Sequence, residues 1–204
     1  NKFSGKASVS PFMARVILEG PVAKLKDPKS SVTYVVSGKQ SLLQQTAKPL
    51  YPYMNDRDGL PFNFTDVYAK MTANLGGRSK VSVFGFGMHD GANFDGIANL
   101  NWRSYGGGMN FSVLPSNSPL FIKGHFNASN YALDLKEQNV PDRFSSINGF
   151  EMGFDFTYAM ANSGEIAFGF NVEGFATDFV TFNEIGRTIK EEMFSTEINP
   201  YFNY

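Results

Sequence analysis

Residues Gly149 to Met160, GFEMGFDFTYAM, carry a large apolar side chain at every second position: Phe150, Met152, Phe154, Phe156 and Tyr158. Glu151, Gly153, Asp155 and Thr157 stand between them. Successive side chains of a strand point to opposite faces, so strict alternation specifies a β-strand with one oily and one polar side. The same period recurs elsewhere. Ala7–Leu18 sets Phe12, Ala14, Val16 and Leu18 against Arg15 and Glu19, and Phe64–Leu75 sets Val67, Ala69, Met71, Ala73 and Leu75 against Asp66, Tyr68, Lys70, Thr72 and Asn74. Ser30–Val36, Val81–His89, Trp102–Val113, Leu120–Tyr131, Glu165–Gly174 and Thr196–Tyr204 complete a predicted series of about nine strands with little helix. In Val81–His89, Phe84, Phe86 and Met88 mark the oily face. That parity puts Val81 and Val83 on the polar face and Lys80 on the oily one.

Gly20-Pro21 is expected to begin a turn. Turns near 76–79, 115–119 and 161–164 are expected to be short, and the links 38–61, 90–99, 132–146 and 175–193 longer and polar. Link 20–29, about ten residues, is the exception on the short side. Short turns at one end and long loops at the other are the wiring of an outer-membrane barrel.

Two architectures use such strands. A soluble β-sandwich turns its oily faces inward; a membrane barrel turns them out to lipid. Charged residues are 18% of the chain, below the roughly 25% usual for soluble domains. The polar faces favour Gly, Ser, Asn and Asp, small residues that suit an enclosed lumen approached closely by another element or by confined water. Phe-rich oily faces suit lipid. Mean hydropathy is -0.22, which says little for a barrel, since half of every strand is polar. No apolar run approaches the roughly 20 residues of a membrane helix.

The expected fold is therefore all-β, an antiparallel transmembrane β-barrel. Barrels of this kind use even strand numbers, and nine is odd. A final strand ending unpaired in hydrocarbon would also strand its backbone polar groups. Residues 1–204 are thus expected to form the N-terminal part of a larger barrel, with the plug and remaining strands outside this chain. The chain begins at Asn1 with neither Met nor a signal peptide, so it is expected to be processed or a piece of something longer. Rival readings are a passive porin-type barrel and a soluble β-sandwich binding module.

Several segments carry a family resemblance: LEGPV (Leu18–Val22), YVVSGKQS (Tyr34–Ser41), LPFNFTDVYAKM (Leu60–Met71) and VFGFGMHD (Val83–Asp90). In this order and spacing they resemble the first part of the barrel of a TonB-dependent outer-membrane transporter. The subclass they are most similar to has an N-terminal carboxypeptidase-regulatory-like domain and is related to SusC-type glycan importers. The motif match covers residues 18–90; beyond that only the strand pattern agrees. Lys39 and Gln40 stand where the family usually has arginines, and His89 stands where it has Arg. The resemblance implies a plugged barrel of about 22 strands. It also implies energised import of a scarce nutrient in the bacterial outer membrane. Its implied partners are outer-membrane lipid, a plug domain, TonB and a surface lipoprotein.

Nine residues on the polar faces are the candidates for contact with a plug or a solute: Arg15, Glu19, Asp66, Tyr68, Lys70, Lys123, Glu151, Asp155 and Glu173. Their bland alternative is a wall solvated by trapped water. Trp102, Arg103 and Tyr105 are expected to mark the outer aromatic girdle. No enzymatic chemistry is expected. The chain has no Cys and only two histidines, His89 and His125, neither with a constellation of acids near it in sequence, so no metal centre or cofactor is expected. DRDG (Asp56–Gly59) matches the start of a calcium loop but lacks its later ligands, and Gly106–Gly108 lacks the strand-turn-helix setting of a phosphate loop. Net charge is -1, which excludes the basic footprint of nucleic-acid binding.

Overall fold

The computed structural model describes residues 2–24, 30–54, 59–76, 79–160, 164–183 and 185–204, without the side chains of 23 and 24. The chain is all-β. Ten strands form one antiparallel sheet in sequence order: β1 (Ser4–Val9), β2 (Met13–Lys24), β3 (Ser30–Ser41), β4 (Phe62–Leu75), β5 (Lys80–Phe94), β6 (Ala98–Val113), β7 (Leu120–Glu137), β8 (Arg143–Met160), β9 (Gly164–Phe182) and β10 (Thr188–Asn203). One helix, α1 (Leu43–Leu50), lies between β3 and β4. Strands β1 and β10 are the two edges.

The strand expected over Ala7–Leu18 is two strands. Pro11 cannot donate to a ladder, and the Ser10 hydroxyl accepts from the backbone N–H of Phe12 (3.3 Å) and Met13 (3.2 Å), closing a turn. Gly20-Pro21 does not end β2. The ladder continues to Lys24 through a bulge between Pro21 and Ala23, one of the places a sheet tolerates proline. The count is ten, which removes the parity argument for a partial barrel.

Strands β5 to β10 run 15 to 19 residues. The long links expected at 90–99, 132–146 and 175–193 shrink to the spans 95–97, 138–142 and 183–187. The calcium-loop residues Asp56 to Asp58 lie outside the described residues, as do 25–29, 77–78 and 161–163 in the other connections.

Directly paired residues of adjacent strands share a face, so the register sorts every side chain. Across the sheet Tyr34, Met71, Val83, Met109, Phe126, Met152, Val172 and Ile198 fall in one row. This row puts Val83 and Val81 on the oily face of β5, and Phe84, Phe86, Met88 and Lys80 on the other. That is the reverse of the sequence expectation. The cause lies on the neighbouring strand: Phe84 pairs with Gly108 and Phe86 with Gly106. A Cβ on Gly106 would stand 2.9 Å from the Phe86 ring, so the glycines make room for the two rings. With Lys80 reassigned, the oily face carries no charge from its turn end up to the row Val67–Gly87–Tyr105–Asn130–Asn148–Ala176–Phe194.

Aromatic rings cover that face. Phe154 packs edge-on against Phe111 (5.9 Å between centroids) and Phe126 (5.6 Å), and tilted against Phe170 (5.5 Å); Phe156 stacks on Phe168 (5.1 Å). The Phe111 ring lies over Gly124, where a side chain would collide with it. No second sheet covers either face among the described residues. The only buried apolar side chains among them are Leu43, Ala47, Ala92 and Ala132, so no core of the sandwich type exists.

Candidate functional site

All nine candidate residues lie on the face opposite the phenylalanine cover. The register groups them in levels. Nearest the short turns, Lys123 lies directly across from Asp155. Gly169 follows on β9 and Tyr201 on β10, and the Tyr201 hydroxyl donates to Asp155 Oδ1 across the glycine (2.6 Å). Two levels further on, Glu19, Lys70, Glu151 and Glu173 share one row, which Glu197 of β10 extends. Tyr68 is in the next level, and Arg15 and Asp66 in the one above, joined by Lys39. Lys39 forms an ion pair with Asp66 and sits 5.0 Å from the Phe64 ring centre.

The acidic end of the middle row is its distinctive feature. Glu151 pairs with Glu173, and Glu173 with Glu197. Like charges directly opposite one another repel. Counter-groups gather only at Glu151: His125 Nε2 is 3.4 Å from Glu151 Oε1, and the Asn171 amide donates to the same oxygen at 3.4 Å. Around it, Asn127 Oδ1 and Asn171 Oδ1 are buried without a hydrogen-bond partner among the described residues. Buried polar atoms are normally satisfied, so this wall is shaped for a polar contact beyond the sheet's own side chains.

Beside the glutamates the wall is hollowed. Phe84, Phe86, Asn127, Ser129, Glu151 and Glu173 border a depression of about 540 Å³. Part of its floor is backbone, since Gly149 presents no side chain on that face. Sequence reasoning places Phe84 and Phe86 on the other side, sets Glu197 on the polar side of the last strand without counting it among the candidates, and misses Lys39 as a member of the polar wall. Glu197 was legible as the polar parity of β10; Lys39 needed its partner Asp66.

Trp102 does not join a girdle with Arg103 and Tyr105. It faces the polar wall, and its indole N–H donates to Asp90 Oδ2 (2.8 Å), while Arg103 and Tyr105 face the opposite way. Among the described residues no three His, Asp or Glu side chains are grouped to hold a metal ion. His89 and His125 lie on opposite faces.

No protein-family model matches the chain, and no curated protein does. Two solved structures share its strand arrangement at low similarity. The ferric yersiniabactin uptake receptor FyuA from Yersinia pestis is 7% identical with a TM-score of 0.40, over 97% of this chain and 40% of that one. A double mutant of the Serratia marcescens hemophore receptor HasR, in complex with its hemophore HasA and heme, is 8% identical with a TM-score of 0.37, over 93% of this chain and 32% of that one. The chain thus spans about two fifths and one third of these receptors' lengths. Similarity of this size leaves the reading of the chain to its own residues.

Proposed function

We propose that this chain is part of the wall of a transmembrane β-barrel in the bacterial outer membrane, its phenylalanine face against lipid and its polar face enclosing a solute path. The observation that carries the reading is a sheet whose uncharged, apolar face nothing covers among the described residues. The chain exposes 13745 Å², against about 9,500 Å² for a soluble monomer of its mass. The excess, roughly 4,200 Å², exceeds a standard protein–protein interface, and large apolar side chains such as Val67, Val83, Phe150 and Ile198 contribute to it. An uncharged band of the height of a bilayer core accounts for that area. From Tyr158 to Asn148 on β8 the oily face runs about 33 Å along the strand, or about 25 Å along the membrane normal at a barrel tilt near 40°. Outer-membrane barrels carry an apolar band of that height.

The barrel continues beyond β1 and β10, whose free edges in hydrocarbon would each leave backbone groups unsatisfied. The polar wall with its hollow, the unpartnered carbonyl oxygens of Asn127 and Asn171 and the glutamate row fits an element seated in the lumen. Together with the segment resemblance over residues 18–90, it supports energised import of a nutrient by a TonB-dependent transporter of the SusC-related kind, with a plug, TonB and a surface lipoprotein as partners. Two measurements test the reading. The protein is expected to sediment with outer membranes and to require detergent for extraction; release by salt alone refutes the membrane placement. Uptake of its nutrient is expected to stop when the proton gradient is collapsed; uptake that persists identifies a passive pore.

A further inference from the structure

The apolar band stops along a line that crosses the sheet well short of the loops. The next row on the same face reads Gln40, Thr65, His89, Arg103, Ala132, Ser146, Asp178 and Glu192. Beyond it the face carries Asn101, Asp134, Lys136 and Lys190. Arg103 and Asp134 come within 3.8 Å of each other, and Lys136 pairs with Asp142 at 3.2 Å. At the line itself the polar side chains satisfy one another: Asn130 donates to Asn148 Oδ1 (2.7 Å), and Thr65 to Gln40 Oε1 (2.6 Å). Phe144, Val180 and Phe182 are the apolar residues left on this face above the line, and Arg143 lies 5.2 Å from the Phe182 ring centre.

The opposite face changes in the reverse sense. Above the line it bears Trp102, Leu100, Leu133, Leu135 and the Phe62–Phe94 ring pair, whose centroids are 6.3 Å apart, among the charged Asp90, Glu137, Arg143 and Glu191. The sheet therefore gains apolar side chains on its polar side at the level where its oily side turns polar. A soluble sheet has no reason to do so, and neither does a wall that sits in hydrocarbon over its full height.

We propose that the outer boundary of the bilayer core lies along the Thr65–His89–Arg103–Asp178 line. The loop-side ends of β4 to β10 then stand clear of the membrane as a collar, wetted outside and lined inside by apolar and charged side chains together. The partner of the band below the line is hydrocarbon, because charge is excluded from it and only from it. The inference rests on the membrane reading above and adds the depth at which the wall leaves the bilayer.

Cysteine labelling tests it, because the chain has no native Cys and peptide mapping assigns each introduced thiol. Val67→Cys, Val83→Cys and Ile198→Cys place thiols below the line; Lys136→Cys and Lys190→Cys place them above it on the same face. In outer membranes a charged, membrane-impermeant maleimide is expected to label only the upper pair. A lipid-soluble maleimide is expected to label the lower three, and denaturation in SDS should expose all five to either reagent. If the charged reagent leaves the upper pair unlabelled, the bilayer reaches the loops and the boundary is wrong, while the membrane reading stands. If it labels all five, or the lipid-soluble reagent misses the lower three, the face does not meet lipid and both ideas fall.

Discussion

A single arginine placed at mid-depth on the phenylalanine face tests the membrane reading quantitatively. Met152 pairs with Phe126 and Val172. It is six residues from Tyr158 at the lower rim, about 15 Å along the membrane normal, and so about 3 Å from the centre of a band about 25 Å tall. Arginine on a lipid face costs about 2–4 kcal/mol at the midplane and about 0–1 kcal/mol at the rims. Met152→Arg is therefore expected to reduce the folded-to-unfolded ratio roughly 30- to 900-fold. Tyr158→Arg is expected to fall within the rim range. Glu151→Arg, one residue along and on the opposite face, removes a like-charge pair with Glu173 and is expected to cost less than 1 kcal/mol, about the value of such a pair. The assay is reversible guanidinium unfolding of the protein in phospholipid vesicles, with Met152→Leu as the volume control. Equal costs at positions 151 and 152, or no fall in cost from 152 to 158, would refute the assignment of faces.

Gly169→Ala aims a methyl group at the Phe154 carbonyl oxygen and the Tyr201 ring, and is expected to cost about 1–3 kcal/mol. Gly38→Ala, whose nearest foreign atom is 4.0 Å away, leaves stability unchanged or raises it by up to about 1 kcal/mol; the same unfolding assay separates the two. Tyr201→Phe deletes the hydrogen bond to Asp155 and is expected to cost about 0.5–1.5 kcal/mol, an effect that should vanish in an Asp155→Ala background in a double-mutant cycle. Glu173→Gln relieves repulsion from two neighbouring glutamates and is expected to stabilise the wall by about 0.2–1 kcal/mol, with the gain shrinking in high salt. A loss of stability instead would show that a cationic element sits on that row.

How far the sequence could be read depended on where the deciding contacts lie. From Phe150 to Tyr158 of β8 every oily position is large and every opposing one polar or glycine, so the alternation suffices. In β5 apolar residues occupy both parities. The choice between Val81–Val83 and Phe84–Phe86 is made by Gly106 and Gly108, some twenty residues downstream and opposed only once register is known. The loop-side ends of β5 to β10 read as loops in the sequence because apolar residues shift to the other parity there: Leu133 and Leu135 continue β7 on the face opposite Phe126. Helix α1 hid in a polar link with Pro49 in its last turn; its burial rests on Leu43 and Ala47, one turn apart. The nine wall candidates needed only parity, whereas the Tyr201–Asp155 and Trp102–Asp90 bonds span strands that period-2 reasoning treats singly.

Every strand lies beside its neighbours in the chain and beside no others. Apart from the connection of residues 42–61 that carries α1 between β3 and β4, each step of assembly closes a hairpin onto an edge that already exists, so the entropy of loop closure stays small. Such a sheet can lose or gain a hairpin as a unit. Excising β6 and β7 together would bring β8 against β5 still antiparallel, with the phenylalanine and polar faces unchanged; excising one strand would set parallel neighbours side by side across a hairpin too short to join them. The wall is built from exchangeable pairs, and growth by twos keeps a closed barrel even in number.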